Sequence, residues 1–325
     1  MKILKRTTLV KSPSTFTLLV LAAAWFCGCT TVQIYQSPVS EFQTAVNSAN
    51  DAIRPYLLEV NNLNAKANLY DKVNLAQAWG TEDLKPGIPG AEIQVRLQAL
   101  STLASYANAL GAMATSKDVD ELGKAAKTLG TDVNGLSSTV STLTAKRQAA
   151  GGQSGLARQA AKFDIGSPVQ ALVTLFGTLM IEHKEKKATE AAIINGEKPV
   201  NEILDLLKAD LRALTLVDQV SYAAMQAGMV KTYNDARNKS DPQGLMALID
   251  QFVADNNRIL TLQALQVDSL LSDMKSAHAA LVTFAKSSKK PKDLSQLSGQ
   301  INVFTAHVKL FQDAVTSIEP LTHSK

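Results

Sequence analysis

Along most of the chain, apolar residues recur at alternating steps of three and four. Phe42, Val46, Ala49, Ile53, Tyr56, Val60, Leu63, Ala67 and Tyr70 form one such seam, opened by Ser40 and Gln43 in the form of a capping box. Pro55 lies within it and predicts a kink. Ile93, Leu97, Leu100, Ala104 and Ala107 form a second seam. Val119, Leu122, Ala126, Leu129, Val133, Leu136, Val140 and Leu143 form a third. Leu204, Leu207, Leu211 and Leu214 belong to a helix expected to start near Pro199. Asp241 and Pro242 open a helix carrying Ile249, Val253, Leu260, Val267, Leu270, Met274, Ala277, Leu281 and Phe284, with polar Asn256 and Gln263 on the same seam. Leu294, Leu297, Ile301, Phe304, Val308, Phe311, Val315 and Ile318 form the last. No comparable stretch alternates with the period of a strand.

A sustained 3.5-residue repeat predicts helices packed nearly parallel with a slight left-handed supercoil. The breaks are short: 79–90, Asn195 with Gly196, 239–242 and 287–291. Short breaks make sequential helices antiparallel neighbours. The expected fold is therefore all-α, an elongated up-and-down bundle of six or seven long helices over 40–318. The same heptads would also suit an oligomeric coiled coil, and the sequence does not fix the oligomeric state. Aromatic residues make up only 5% of the chain, so seams of Ala, Val and Leu offer little material for a ligand pocket.

One segment departs from this pattern. A Gly-rich hinge near 148–166 precedes Ser167, Pro168 and Gln170, which suit the N-cap, N1 and N3 positions of a new helix over 167–187. From Val169 to Ile181 nearly every side chain is apolar, and a charged run follows at once. Such a helix is buried or faces lipid. The plain expectation is a central helix of the bundle. The alternative is a membrane or partner contact through Leu172, Leu175, Phe176 and Leu179. That layout, long helices with one apolar segment mid-chain, is loosely similar to the α-helical pore-forming toxins, which implies a membrane-active protein using 165–181.

Charge and cysteine usage draw attention to the N-terminus. The net charge of +4 comes from Lys2, Lys5, Arg6 and Lys11. Without residues 1–28 the chain holds 29 cations against 29 acidic residues, and the totals give no support to a nucleic-acid partner. The basic stretch 1–11 is followed by an apolar run over 16–26, the form of a secretory n-region and h-region. That run is too short to span a bilayer, which takes about 20 apolar residues. The chain has 2 cysteines, Cys27 and Cys29, too close together for an unstrained disulfide.

This order of segments, closing on Gly28 and Cys29, resembles the lipobox of bacterial lipoproteins, with Phe26 and Cys27 where that class usually has Leu and Ala or Ser. The resemblance implies a signal peptide over 1–28, acylation of Cys29 as the first mature residue, and a lipidated tether over 29–39. Thr30 rather than Asp after the cysteine implies sorting to the outer membrane. Two or more acyl chains hold a protein firmly, at about 0.8 kcal/mol per buried methylene.

Recognisable chemistry is otherwise scarce. The histidines His183, His278, His307 and His323 show no i, i+4 pair, and His278 and His307 read as residues flanking a seam. Gly152, Ser154 and Leu156 have the outline of a nucleophile elbow, but Leu156 stands where Gly is required. Asp205, Asp210, Asp218, Asp250 and Asp255 read as solvated helix faces. Asn256 and Gln263 read as register-setting polar residues. No cofactor or metal is implied. The tail 319–325 ends in Lys325; a short helical outer-membrane lipoprotein is joined to peptidoglycan through such a residue, but a solvated tail is the plainer reading. The expectation is a lipid-anchored, periplasm-facing protein of the cell envelope with a protein partner, and an enzyme with an unrecognised site remains the other alternative.

Overall fold

The seams become helices almost throughout. The computed structural model describes residues 30–78, 80–81, 88–115, 119–149, 166–182, 188–239 and 241–318, which are all-α, with no strand among them. Among these residues there are eight helices. In chain order they are α1 Thr30–Asn74, α2 Gly90–Thr115, α3 Val119–Ala149, α4 Gly166–Glu182, α5 Ala188–Ala236, α6 Pro242–Ala264, α7 Val267–Lys286 and α8 Pro291–Ile318. The signal-peptide region, Cys29, most of the expected hinge and the tail 319–325 lie outside the described residues.

Cross-helix contacts fix the directions. Asn47 of α1 donates to Asn108 of α2, whereas Asn61 further along α1 accepts from the backbone of Ile88 just before α2. Those two helices are therefore antiparallel. Arg96 of α2 bonds Asp210 of α5, and Thr189 at the start of α5 donates to the carbonyl of Met113 near the end of α2, so α2 and α5 also oppose. α7 runs against α1, with Phe284 edge-on to Tyr35 and His278 beside Phe42. α8 runs with α1, placing Phe304 by Phe42 and Phe311 by Tyr56. At 1.5 Å per residue, the 45 residues of α1 and 49 of α5 extend roughly 65–75 Å along their paths.

The α1 seam is the inner wall of this arrangement. Its residues from Phe42 through Ala67 are each at most 4% exposed, and α2, α5, α6, α7 and α8 all pack on the helix. Each Val, Leu, Ile or Phe among them contributes about 1.5–3 kcal/mol relative to exposure. The α3 seam reaches the core at Leu129 and Leu136, and the α8 seam does so from Leu297 through Ile318.

Five expectations are corrected. Helix α1 does not begin at Ser40: the chain is already helical at Thr30, so 30–39 is helix rather than tether. Tyr35 and Val39 extend the buried stripe upstream of Phe42 in steps of four and three, and this burial outweighs the presence of Pro38 within the helix. Gln43, expected to close a capping box, donates instead to Asn108 of α2. The most enclosed helix is α2, which is buried on nearly every side. α4, expected at the centre, packs on α3 and α5 and leaves Gln170, Ala171, Thr174 and Thr178 exposed.

Helix α5 runs straight through Gly196 and Pro199. Gly196 is not a break but a contact, because a Cβ there would lie 2.6 Å from the Tyr106 hydroxyl. Finally, the seam expected to form one helix after Asp241 is two, α6 and α7, interrupted at Leu265 and Gln266. The two pieces continue in one direction along α1: α6 reaches Lys66 and Glu59, and α7 reaches Phe42 and Tyr35. The interruption corrects phase. In α6 the buried stripe is Asp255, Arg258, Ile259 and Leu262, while the heptad positions Val253 and Leu260 face solvent.

The glycines supply a direct test of this packing. Gly196→Ala should lower stability by about 1–3 kcal/mol, because the fully buried Tyr106 ring cannot move aside. Gly130→Ala and Gly299→Ala, where an added Cβ meets nothing within 4 Å, should each raise stability by about 0.5–1 kcal/mol. Thermal melts followed by circular dichroism decide it; equal shifts at the three positions would contradict the packing described.

Candidate functional site

The residues singled out by the sequence fall at two separate places. Cys29 lies outside the described residues; the helix that follows it is described from Thr30. Tyr35 is 5% exposed and meets the Phe284 ring edge-on at 5.4 Å. The Lys289 ammonium sits 5.9 Å from the Tyr35 ring centre and 3.1 Å from a carboxylate oxygen of Glu190. Burial, and then the negative charge of Glu190, push the Tyr35 hydroxyl pKa well above its ordinary value. The first turns of α1 are thus clamped between the end of α7, the turn after it and the start of α5.

The apolar segment is the second place. Leu172 is fully buried and Leu175 is half-buried against the core, with Val169 beside them. The side chains of Phe176 and Leu179 lie outside the described residues. No described helix is long and apolar enough to cross a membrane.

Buried polar groups form three further sites that the sequence concealed. His278, expected to flank a seam, is fully buried. Its Nε2 lies 2.8 Å from the Tyr106 hydroxyl, with Phe42 on another side. Burial pushes the His278 pKa down to about 4, against a smaller opposing effect of Glu197. Burial also pushes the Tyr106 hydroxyl well up. The imidazole is therefore neutral at ordinary pH.

Asp210, expected on a solvated face, accepts two hydrogen bonds from buried Arg96, at 2.6 and 3.0 Å. The Arg96 guanidinium also donates to the Glu92 carbonyl. Asp255, likewise expected in solvent, is 1% exposed. It accepts from Lys66 at 2.6 Å and Gln251 at 2.9 Å, with Arg258 at 3.5 Å. In both cases a charge partner on another helix compensates burial, and no heptad pattern announces such a pair. Breaking one by removing a single partner strands a buried charge, at a cost of about 3–5 kcal/mol. Asp205 does remain on the surface, paired with Lys275. Asn256 accepts from Gln226 of α5, which ties α6 to α5.

Two open grooves of about 540 Å³ each lie between helices. One runs between α6 and α8 past Leu260, Leu265, His307, Leu310 and Phe311. The other runs between α1 and α8, lined by Thr44, Ser48, Thr305, Lys309 and Asp313. His307 is engaged by Asp273 at 2.7 Å. Among the described residues no three His, Cys, Asp or Glu side chains gather as a metal site.

No family model matches the chain, and no curated protein or solved structure is significantly similar to it. The functional reading therefore rests on the geometry of these sites.

The His278 site generates a pH dependence. Its folded pKa lies below that of the free imidazole, about 6.5. The unfolded chain therefore takes up the proton first as pH falls. The stabilisation is fully present above pH about 6.5 and is lost as pH drops toward 4, by on the order of 2 kcal/mol between pH 7 and 5. His278→Gln retains a hydrogen-bonding group for Tyr106 but cannot ionise. Its stability should fall less steeply over this range than that of the native chain, as read by urea unfolding at several pH values. Parallel curves would rule the mechanism out.

Proposed function

We propose that this chain is a bacterial envelope lipoprotein, acylated at Cys29 and held at the outer membrane, whose helical bundle serves as a structural or protein-interaction module. The observation that carries the reading is that the chain is already helical at Thr30, the residue after Cys29, and that Tyr35 is locked into the core. An acyl group on Cys29 would thus attach to the bundle almost without slack, and the helices would stand at the membrane surface rather than drift on a flexible leash. The preceding basic and apolar segments and the Gly28–Cys29 pair support the same reading.

The open grooves and the charged, mixed outer faces suit contact with a protein partner. No observation among the described residues favours catalysis over such contact. The membrane-active alternative through 165–181 draws no support from Leu172, whose side chain is sealed inside the bundle.

Two experiments test these points. Cys29→Ser should abolish labelling by a fatty-acid analogue and move the protein out of the mature membrane fraction; equal labelling of variant and native chain would sink the anchor. Leu172→Asp buries an unpaired charge and should cost several kcal/mol, a large share of a typical total stability. A variant that melts at the native temperature yet no longer associates with liposomes would reinstate the membrane-active reading.

A further inference from the structure

Beyond residue 28 the charge totals are balanced, but the geometry concentrates lysines at one end. The turn joining α7 to α8 carries Lys286, Lys289, Lys290 and Lys292 within seven residues. This turn is well defined. Ser287 donates through its hydroxyl to the Phe284 carbonyl and accepts from the backbone N–H of Lys289. Lys289 takes a left-handed conformation, φ 57°, and lays its side chain across Tyr35 towards Glu190. Asp293 accepts from the backbone N–H of Lys290, closing the start of α8.

These contacts divide the lysines into two pairs. Lys286 is matched by Glu197 at 2.9 Å and Lys289 by Glu190 at 3.1 Å. Lys290 and Lys292 are exposed and have no acidic partner among the described residues. Asp293 is half-buried and engaged with the backbone. The positive end of the α8 dipole adds to the same field.

The position of the turn matters as much as its charge. It is pinned to Tyr35, and Thr30 lies only five residues upstream, about 7.5 Å along the helix. That distance is within the screening length of roughly 8–10 Å at moderate salt. Any surface reached by the start of α1 is within the field of this turn.

The geometry points to the α7–α8 turn as a docking contact for anionic phospholipid headgroups, with Lys290 and Lys292 meeting the phosphates of the membrane that holds Cys29. This rests on the anchor reading and adds a second attachment, which seats the bundle on one end. An acyl chain combined with a basic patch is a stronger hold than either alone. Each lysine near an anionic surface contributes about a fivefold gain in association.

The test uses the full chain with Ser288→Cys, expressed in a Gram-negative host and purified from membranes. Ser288 is exposed, and an environment-sensitive thiol dye there reads the turn. The protein is combined with vesicles containing a headgroup-spin-labelled quencher, either rich in phosphatidylglycerol or made of phosphatidylcholine. Strong quenching is expected only in the anionic vesicles. Most of it should be lost at high salt and in Lys290→Glu combined with Lys292→Glu, with an unchanged melting temperature. Absent quenching, equal quenching in both vesicle types, or quenching indifferent to the two lysines would overturn the proposal. Dye stoichiometry judges the anchor separately: one dye per chain is expected when Cys29 is acylated, and more than one counts against acylation. Quenching that persists in such unacylated protein supports the turn contact by itself, and its loss there overturns it.

Discussion

One stripe of α1, running from Tyr35 through Phe42, Val46 and Ile53 to Leu63 and Ala67, is sealed from water by several neighbours at once. The stripe is longer than α2, α7 or α8, so each of these covers only part of it, while the longer α5 also packs along α1. α2 covers it from one side, α7 and α8 cover its first half, and α6 takes over beyond Tyr56. The directions of the other helices follow from this sharing. Each must arrive at a set height on α1, and short connections favour alternating directions for sequential helices, with α6 and α7 the pair that instead continues in one direction.

Close packing against that stripe demands small residues where large ones approach. Tyr106 faces Gly196, and Tyr70 faces Gly228, each at a distance that would bring an added Cβ to 2.6 Å from the tyrosine. Fixed approaches of this kind set register between helices more sharply than interchangeable Ala and Leu side chains can. The buried Tyr106–His278 bond and the Arg96–Asp210 pair add directional constraints at the same level. A slip of α2 by one turn would break both the Arg96 pair with α5 and the Tyr106 bond with α7.

Much of this was legible in the sequence, and the failures are instructive. The seams of α1 and α8 name most of their buried residues, because each of these helices meets its neighbours along a continuous stripe, whereas α2 is buried on nearly every side and its seam names only part of what it buries. The sequence misled where one residue type serves two ends. Gly196 and Pro199 have the composition of a break, yet the glycine admits a tyrosine ring and the helix continues. The tether expected over 29–39 contains Pro38, whereas Tyr35 and Val39 carry the stripe past it. His278 and Asp255 are hidden in principle, since their burial depends on Tyr106 and Lys66, partners distant in sequence. Cys29 is singled out by its flanking pattern alone and lies outside the described residues, while the lysine turn emerges only when the fold brings 286–292 beside Tyr35.

The interruption at Leu265 and Gln266 divides one rod into unequal halves. α7 inserts Val267, Leu270, Leu271, Met274, Leu281, Val282 and Phe284 into the core, while α6 contributes Ile259 and Leu262 with the charged Asp255 and Arg258. The two segments, collinear in the chain, therefore differ in how firmly they are held. Loss of α6 from its site exposes little apolar surface, whereas loss of α7 exposes the centre of the molecule. Local opening free energies must rise along the rod from 242 towards 286. Backbone amides of α6 then exchange with solvent by a sub-global excursion that leaves α7 in place, and the end of the bundle away from Tyr35 is its more yielding end.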